Sequence, residues 1–426
     1  MLLPLSSTET AQTLRILLWH GYLLGGTGSN VYTRALAREW ARLGHDVVVV
    51  CQERAPERYD LGGAQVVVPE LPGGLLPTFV MDRYEGLVPK FLQDFTPAEQ
   101  AAYVEANAAV LRELLPAEVV FTNHVLMGAP VGAATGVPFR VKAHGSELEY
   151  SMRGRPALEA WGRETLGQAE ATFVGSRHIR EVLEEVVGVV ERVHEVPPGV
   201  DIDTFVPEER GVAFAALIEE ARNDGLNPGN SEERLPDEGN AERLAHFLAG
   251  STPTVLYFGK LIEQKGVQLL LEAMHGVDAR LVVVGFGPER ARFEAAAPPR
   301  TLFTGPLEHR HLVRLLPLAD VTVVPSIFPE AFGMVAAEAA AAGSPPLVAR
   351  HSGLAEVATG LEEEYPERLR HLAAFETGDA VDLTRKLNEI LGLSKADHDE
   401  LKAAGRRAVV ERWSWASVAQ RLLAPR

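Results

Sequence analysis

Residues 329–349 read PEAFGMVAAEAAAAGSPPLVA and place two glutamates, Glu330 and Glu338, among small or apolar residues. Strong helix formers fill positions 331–342, and a glycine followed by two prolines ends the run, which predicts a helix there. The preceding ADVTVVPS (319–326) is a β-branched run that ends near a proline, which predicts a strand and its exit. The stretch therefore predicts one strand–helix unit of an α/β sheet.

The two carboxylates of this segment need an explanation, because a carboxylate in apolar surroundings is costly unless something pairs with it. Glu330 is predicted just before the helix and Glu338 about two turns inside it. The free N–H groups at that helix start favour an anion such as a phosphate, and Gly333 lets a ligand approach the backbone closely. We therefore expect a polar ligand here. The alternative is that Glu330 is an acid at a helix start and that Glu338 is solvated.

The rest of the chain alternates strands and helices in two halves. The first half opens with a strand at 14–20, a glycine loop at 21–30, a helix at 31–44 and a strand at 45–51. Further strands are predicted at 119–123, 139–145, 171–176 and 193–199, with helices near 97–115, 155–169 and 176–188. The second half has strands at 254–260 and 280–287 and helices at 266–276 and 311–319. Two such halves predict two Rossmann-like, doubly wound domains with parallel sheets facing across a cleft.

Composition narrows the class of protein. A chain of 426 residues with 46% hydrophobic and 23% charged residues predicts a globular protein of two domains. The net charge of −17 argues against nucleic acid or an anionic membrane as the main partner. The single cysteine, Cys51, forbids an internal disulfide and fits a reducing compartment. No apolar run approaches the ~20 residues of a membrane span, and no secretion signal is evident, so we expect a soluble, cytoplasmic protein.

Two lysines follow a predicted strand of the second half, in GKLIEQKG (259–266). Lys260 and Lys265 would lie at a strand end beside the helix that starts at Gly266. Cationic groups beside free N–H donors suit a diphosphate. Taken alone, lysines are more often solvated surface residues.

The first half carries weaker signals. His144, in KAHGSELE (142–149), follows a strand and could donate a hydrogen bond to a developing charge or a sugar hydroxyl, although a lone histidine is more often structural. The loop at 26–31 is similar to the dinucleotide-binding G-x-G-x-x-G, but Val31 occupies the third glycine position. Glu53 follows the second strand, where an acid would bind a ribose. The sequence shows no Cys/His cluster, so we predict no metal site.

The motifs, taken in order, resemble those of the retaining glycosyltransferases of family 4, the GT-B enzymes that include glycogen-synthase-like and sucrose-synthase-like proteins. The matching pieces are LLGG with GHDVVVV, KAHGSEL, VGSRHIREVL, VPPGVDIDTFVP, FGKLIEQKGVQLLLEA, VVGFGPE, the segment quoted first, and SGLAEV. The resemblance implies an acceptor-binding domain at 1–206, a linker and insertion at 207–251, and a nucleotide-sugar-binding domain at 252–410. A helix at 411–426 would cross back to the first domain.

The resemblance also implies roles for the residues of the second half. Lys265, with Lys260 where the family usually has arginine, would hold the donor diphosphate; lysine keeps the charge but lacks the bidentate fork. Glu338 would bind the ribose hydroxyls. Glu330 would bind hydroxyls of the donor sugar, beside the backbone of Ala331, Phe332 and Gly333.

In the first half, the resemblance places His144 near the anomeric centre, so that His144, Glu330 and Lys265 are the predicted catalytic residues. Gly25 and Gly26 would let their loop close over the diphosphate. Ser352, followed by glycine, departs from the frequent Gly-Gly of the family, which affects the contacts of that loop.

The implied reaction moves a hexosyl group from a UDP- or GDP-linked sugar to an acceptor hydroxyl, with retention, without a metal and without another cofactor. The competing hypotheses are a nucleotide-sugar epimerase, an NAD-dependent Rossmann oxidoreductase and a non-catalytic glycan-binding protein. Residues 71–95 mix Leu, Phe and Pro with few charges. They could form the wall of an acceptor pocket, a partner contact or a membrane-facing loop.

Overall fold

The computed structural model describes residues 12–25, 28–79, 84, 86–223 and 236–425. Contacts divide the chain into two compact units. The first unit comprises residues 1–175, 179–196 and 419–426, and the second comprises 176–178 and 197–418. Within the described ranges, no helix combines the length and the apolar character that crossing a membrane requires.

The strands of the described residues, numbered in chain order, are β1 (Arg15–Trp19), β2 (Asp46–Val50), β3 (Gln65–Val67), β4 (Leu75–Thr78), β5 (Val88–Phe91), β6 (Val119–Asn123), β7 (Arg140–Lys142), β8 (Ala171–Val174), β9 (Val193–Glu195), β10 (Thr254–Phe258), β11 (Arg280–Val284), β12 (Thr301–Phe303), β13 (Val321–Val324), β14 (Pro346–Ala349) and β15 (Ala374–Phe375).

The α-helices are α1 (Ser29–Arg42), α2 (Pro97–Leu114), α3 (Ala129–Ala134), α4 (Pro156–Leu166), α5 (Arg177–Val187), α6 (Arg210–Asn223), α7 (Asn240–Phe247), α8 (Val267–Met274), α9 (Arg290–Ala296), α10 (His309–Leu315), α11 (Met334–Ala341), α12 (Ser352–Glu364), α13 (Ala380–Leu391), α14 (Lys395–Ala408) and α15 (Trp415–Leu423).

Each unit is built on a parallel sheet. The first sheet has the order β3-β2-β1-β6-β7-β8-β9 and the second has the order β12-β11-β10-β13-β14-β15. The strands β2 (DVVVV) and β11 (RLVVV) each carry four consecutive apolar residues after a charged first residue, because helices cover both faces of a parallel sheet. Each unit has its own hydrophobic core, and the two predicted Rossmann-like sheets are thereby confirmed.

The order of strands reverses beside the first strand of each sheet. In the first sheet β1 lies between β2 and β6, and in the second sheet β10 lies between β11 and β13. Ligands of doubly wound sheets bind outside the carboxyl ends of the strands at this switch point. The residues that follow β1 and β6, and those that follow β10 and β13, are therefore the positions at which each unit can hold a ligand.

The segment predicted as a linker and an insertion, 207–251, contains α6 and α7 in its described parts, and both helices belong to the second unit. The sequence prediction assigned no helix to this segment, although its apolar positions have a spacing that suits helices. Leu217 and Leu244, on these two helices, are fully buried in the core of the second unit. The predicted mobile region at 223–240 falls largely on 224–235, outside the described residues.

The last helix contributes to the first unit. The Trp40 Nε1–H donates to the carbonyl of Ala419 (3.0 Å), and Arg140 donates to the carbonyls of Leu422 (2.9 Å) and Leu423 (2.8 Å). Arg140 thus satisfies carbonyl groups at the end of α15 that have no partner inside the helix.

The only cysteine of the chain follows β2. Cys51 is 1% exposed, and burial raises the pKa of its thiol to about 12. A thiol with such a pKa carries almost no reactive thiolate near neutral pH.

Candidate functional site

The second unit brings Lys265 and Glu330 together, although 65 residues separate them in sequence. Lys265 ends a short 3₁₀ turn after β10, and Glu330 lies in the loop between β13 and α11. Since β10 and β13 are neighbours in the sheet, their carboxyl ends lie side by side. The Lys265 Nζ forms an ion pair with Glu330 Oε1, and both side chains keep part of their surface exposed.

Backbone contacts join the two loops that carry this pair. The N–H groups of Ile327 and Phe328 both donate to the carbonyl of Gln264 (3.0 and 3.2 Å). Gly266 has a φ of 69° and passes so close to Pro325 that a Cβ would lie 1.8 Å from its carbonyl oxygen. Only glycine meets both requirements, the positive φ and the close approach to Pro325. It therefore allows the turn that ends at Lys265 to pack against the loop that carries Glu330.

Three groups bond Glu330 besides Lys265, and a fourth, His351, bonds Ser326 in the same loop. The Ser326 Oγ–H donates to Glu330 Oε1 (2.5 Å), and the Glu330 N–H donates to Ser352 Oγ (2.9 Å). The Gly353 N–H donates to the carbonyl of Glu330 (3.0 Å), and His351 donates to the carbonyl of Ser326 (2.7 Å). No donor among the described residues bonds Oε2 of Glu330, so this oxygen can accept a hydrogen bond from a ligand.

Glu338 lies on α11 between buried alanines and is itself partly exposed. Burial raises the pKa of its carboxyl to about 7. No side chain in the described part of the chain hydrogen-bonds or pairs with it. A partly accessible carboxylate without a protein partner is the arrangement expected where ligand hydroxyls supply the missing hydrogen bonds.

The three residues between Glu330 and α11 form the start of that helix. Ala331 is exposed, whereas Phe332 is buried and its ring contacts the edge of Trp413 with centroids 5.6 Å apart. Gly333 caps the helix with a φ of 121°, and a Cβ there would lie 2.7 Å from Leu354 Cδ2. The predicted helix over 331–342 therefore begins only at residue 334.

Lys260 lies on the same edge of the sheet, directly after β10, but its side chain is exposed and forms no ion pair within the described residues. Its carbonyl accepts a hydrogen bond from the Tyr257 hydroxyl (2.8 Å). The structure therefore pairs Lys265 with Glu330 and leaves the Lys260 ammonium group accessible.

In the first unit, His144 follows β7 and bonds Asn123 at the end of β6, with 2.8 Å between Nε2 and Oδ1. The Asn123 Nδ2 donates to the carbonyl of Trp19 (3.1 Å), so its Oδ1 must be the acceptor. The His144 Nε2 consequently carries the proton, and its Nδ1 is an acceptor. Burial, followed by the charge of His124, lowers the pKa of His144 well below its usual value, so the ring is neutral.

A buried polar cluster surrounds His144. The rings of His124 and His144 lie 4.8 Å apart, and those of His20 and His124 lie 6.1 Å apart. Glu147 is fully buried and accepts the N–H groups of Val125 (2.5 Å) and Leu126 (3.1 Å). Sequence reasoning missed His20, Asn123 and His124, although each lies where a strand of the switch point ends, which is the signal that identified His144.

Hydrogen bonds from Asn30 and to Glu53 fix the described part of the glycine loop of the first unit. Asn30 donates to the carbonyl of Gly25, and Gly26 lies outside the described residues. The Glu53 carboxylate accepts the N–H groups of Leu24 (3.2 Å) and Ala55 (3.0 Å). Glu53 is therefore occupied in fixing this loop, which argues against its binding the ribose of a dinucleotide.

The described residues contain no group of three or more His, Cys, Asp or Glu side chains placed to hold a metal ion.

Two Rossmann-type sheets in one chain, with charged residues at the switch point of the second, are the arrangement of the GT-B class. Comparison with known families agrees with this class. The family described as "Glycosyltransferase Family 4" matches residues 26–204, and the one described as "Glycosyl transferases group 1" matches residues 240–407. The chain belongs to glycosyltransferase family 4, and it is a hexosyltransferase.

Individual proteins agree with this assignment. A D-inositol 3-phosphate glycosyltransferase of Xylanimonas cellulosilytica is 29% identical over 427 residues, which cover 93% of this chain and 90% of that protein. Sucrose-phosphate synthase from Thermosynechococcus elongatus has a similar structure, with a TM-score of 0.64, 21% identity and coverage of 96% and 97% of the two chains. Anabaena Alr3699/HepE in complex with UDP and glucose gives a TM-score of 0.64 at 15% identity, with coverage of 96% and 98%. These two structures support the fold.

Proposed function

We propose that this hexosyltransferase uses a UDP- or GDP-linked sugar as donor, transfers the hexosyl group to an acceptor hydroxyl with retention, and needs neither a metal nor another cofactor. The observation that carries the proposal is the Lys265–Glu330 pair at the switch point of the second sheet. A cation and a carboxylate with an open oxygen can serve the two halves of a nucleotide-sugar, its diphosphate and its hydroxyls.

The donor roles follow from the positions of the side chains. Lys265 and the exposed Lys260 would bind the diphosphate, and the N-terminus of α11 adds N–H groups and the positive end of its dipole. Glu338 would accept hydrogen bonds from both ribose hydroxyls. Glu330 would accept one from the donor sugar through Oε2, beside the backbone of residues 331–333.

In the reaction, the bond between the anomeric carbon and the diphosphate oxygen breaks while the acceptor oxygen bonds that carbon on the same face. The acceptor proton passes to the leaving diphosphate. Lys265 stabilises the charge that develops on this leaving group. His144 would accept a hydrogen bond from a sugar hydroxyl through Nδ1, which orients the sugar without transferring a proton.

The names of similar proteins suggest the first substrates to examine. The Xylanimonas relative is named for D-inositol 3-phosphate, and the Anabaena structure holds UDP and glucose. We propose a hydroxyl of a small polyol, with D-inositol 3-phosphate as the first candidate acceptor. A cytoplasmic location stays a prediction from composition.

A thermal-shift screen of UDP, GDP, UDP-glucose and GDP-mannose tests the donor, because a ligand that binds only the folded chain raises its melting temperature. Lys265→Ala should slow donor turnover by well over tenfold, about 1.4 kcal/mol or more in barrier. Lys395→Ala is the matched control, since this exposed lysine forms a surface ion pair with Asp399 on α14. Donor hydrolysis that stays unchanged in Lys265→Ala contradicts the proposal.

Two alternatives can be separated from transfer. A nucleotide-sugar epimerase would convert the donor without an acceptor, whereas a transferase releases the nucleoside diphosphate in an acceptor-dependent manner. An NAD-dependent oxidoreductase would show saturable NAD(H) binding, which the engagement of Glu53 disfavours. The family assignment favours the transferase over both.

A further inference from the structure

We propose that His351 and Ser352 are positioning residues for Glu330, and this inference rests on the proposed function. Both lie at the turn between β14 and the start of α12. They act through hydrogen bonds to the backbone of Glu330 and of the loop that carries it.

The directions of these hydrogen bonds follow from the chemistry of each group. The carbonyl of Ser326 can only accept, so His351 donates to it through Nε2 (2.7 Å), and in the neutral imidazole Nδ1 is then an acceptor. The Ser352 Oγ–H then donates to His351 Nδ1 (3.1 Å), and Ser352 Oγ accepts the N–H of Glu330 (2.9 Å).

The fourth hydrogen bond closes a ring. The Ser326 Oγ–H donates to Glu330 Oε1 (2.5 Å), so the bonds run in one direction from the backbone of Glu330 through Ser352, His351 and Ser326 to the carboxylate of Glu330. Each donor in the ring has one acceptor. The ring fixes both the backbone and one carboxylate oxygen of Glu330, which leaves Oε2 as the oxygen aimed at a ligand.

The backbone conformation of Ser352 would suit a glycine better than a serine. Its φ of 45° lies in the left-handed region, which glycine adopts without strain and which disfavours residues with a Cβ. Gly353 next to it already donates to the carbonyl of Glu330 (3.0 Å). A glycine at position 352 would satisfy the turn, so the serine adds the hydroxyl that receives the Glu330 N–H.

Removing the Ser352 hydroxyl should affect only the affinity for the sugar part of the donor. Because Glu330 is proposed to contact the donor sugar and not the nucleotide, loosening it should weaken binding of a nucleotide-sugar and leave binding of the nucleotide alone unchanged. A role in folding alone would instead change the melting temperature and affect both ligands alike.

The test measures Kd by calorimetry for UDP against UDP-glucose and for GDP against GDP-mannose. Ser352→Gly and Ser352→Ala should each raise the Kd of the bound nucleotide-sugar about five- to tenfold and change that of its nucleotide less than about twofold. Ser352→Gly should keep or raise the melting temperature because it relieves the left-handed strain. Ser394→Ala, which removes the cap of α14, is the matched control and should lower the melting temperature without changing the ratio of the two Kd values.

The remaining outcomes separate this inference from the proposed function. Unchanged ratios in both Ser352 variants, together with a changed ratio in Glu330→Gln, overturn the inference alone. A loss in Ser352→Ala without a loss in Ser352→Gly also overturns it, since strain and not the hydroxyl would then be responsible, as does a parallel loss of nucleotide affinity. An unchanged ratio in Glu330→Gln, or binding of none of the four probes by the wild type, defeats the proposed role of Glu330 and the inference with it.

Discussion

The protonation of His144 is set by one neighbour, Asn123, whose amide orientation is fixed by the carbonyl of Trp19. Asn123→Asp should raise the pKa of His144, because a carboxylate beside Nε2–H favours the imidazolium. The donor-hydrolysis rate of the variant should then fall as the pH drops below that raised pKa, since a protonated Nδ1 cannot accept a hydrogen bond. The wild type should lack this fall.

An NMR titration of the His144 ring checks the same change directly. Asn107→Asp is the matched control: Asn107 is also buried in the first unit, where its Oδ1 accepts from Trp19 Nε1 (3.0 Å). It should cost stability and leave the titration of His144 as it is. An unshifted His144 in Asn123→Asp would disprove the assigned tautomer.

Glu338 should make stability depend on pH. Its pKa of about 7 in the folded chain exceeds the ordinary value of 4.5, so folding favours the protonated form. The free-energy cost of ionising the buried carboxyl destabilises the folded chain. This cost is absent below about pH 4.5, grows as the pH rises and is complete above about pH 7, where it is at most about 3 kcal/mol. Glu338→Gln should therefore be more stable than wild type at pH 8 and equal to it near pH 4.5, by denaturant unfolding at both values.

Binding supplies the second readout for Glu338. The ionised carboxylate accepts hydrogen bonds from both ribose hydroxyls, and more strongly than the protonated acid, which keeps only its carbonyl oxygen as a good acceptor. Nucleotide affinity in the wild type should therefore rise between pH 6 and pH 8 more than in Glu338→Gln. Equal slopes in the two proteins would remove Glu338 from the donor site.

At the residue scale, sequence reasoning found the groups whose chemistry is rare in their surroundings. Glu330 and Lys265 stood out because they follow apolar strands, and Glu338 stood out because it lies among alanines. The partners of these groups were not predictable, since Ser352 and Asn123 are ordinary polar residues until the fold places them against Glu330 and His144.

Among the elements, α15 offers a direct test of how the last helix is attached. Arg140→Met should leave the carbonyls of Leu422 and Leu423 without their donor and cost about 1–3 kcal/mol. Hydrogen exchange of the amides in α15 should accelerate. Arg112→Met, at an exposed pair with Glu105 in the same unit, is the control and should change stability by less than about 0.5 kcal/mol. Equal exchange in both variants would contradict the role of Arg140.

Helices were predicted correctly where apolar residues recur at helical spacing, and they were missed where many acidic residues obscured that spacing. The helices predicted near 97–115 and 176–188 are observed as α2 and α5 within two residues at each end. No helix was predicted within 207–251, because the many acidic residues of this segment hid the apolar positions of α6 and α7. The end of the helix predicted over 331–342 was right within a residue, but its start was not, because Gly333 leaves the helical region.

For the whole molecule, two separate hydrophobic cores predict two unfolding transitions. A nucleoside diphosphate that binds the second unit should raise only one of them in calorimetry. Leu256→Ala, in the core of the second unit, should lower that same transition, and Leu17→Ala, in the core of the first unit, should lower the other, each by the few kcal/mol of a buried leucine. If the nucleotide instead raises the melting temperature of the transition that Leu17→Ala lowers, the donor binds the first unit, and the proposed donor site in the second unit is wrong.

The burial of Cys51 has a practical use. Because its thiol is unreactive, Cys51 should not be labelled by maleimide dyes. A surface cysteine introduced into each unit would then be the single labelled position of that unit. A chain labelled in this way would report the distance between the two units by single-molecule fluorescence. That distance could be followed while donor and acceptor are added, without first removing a native cysteine.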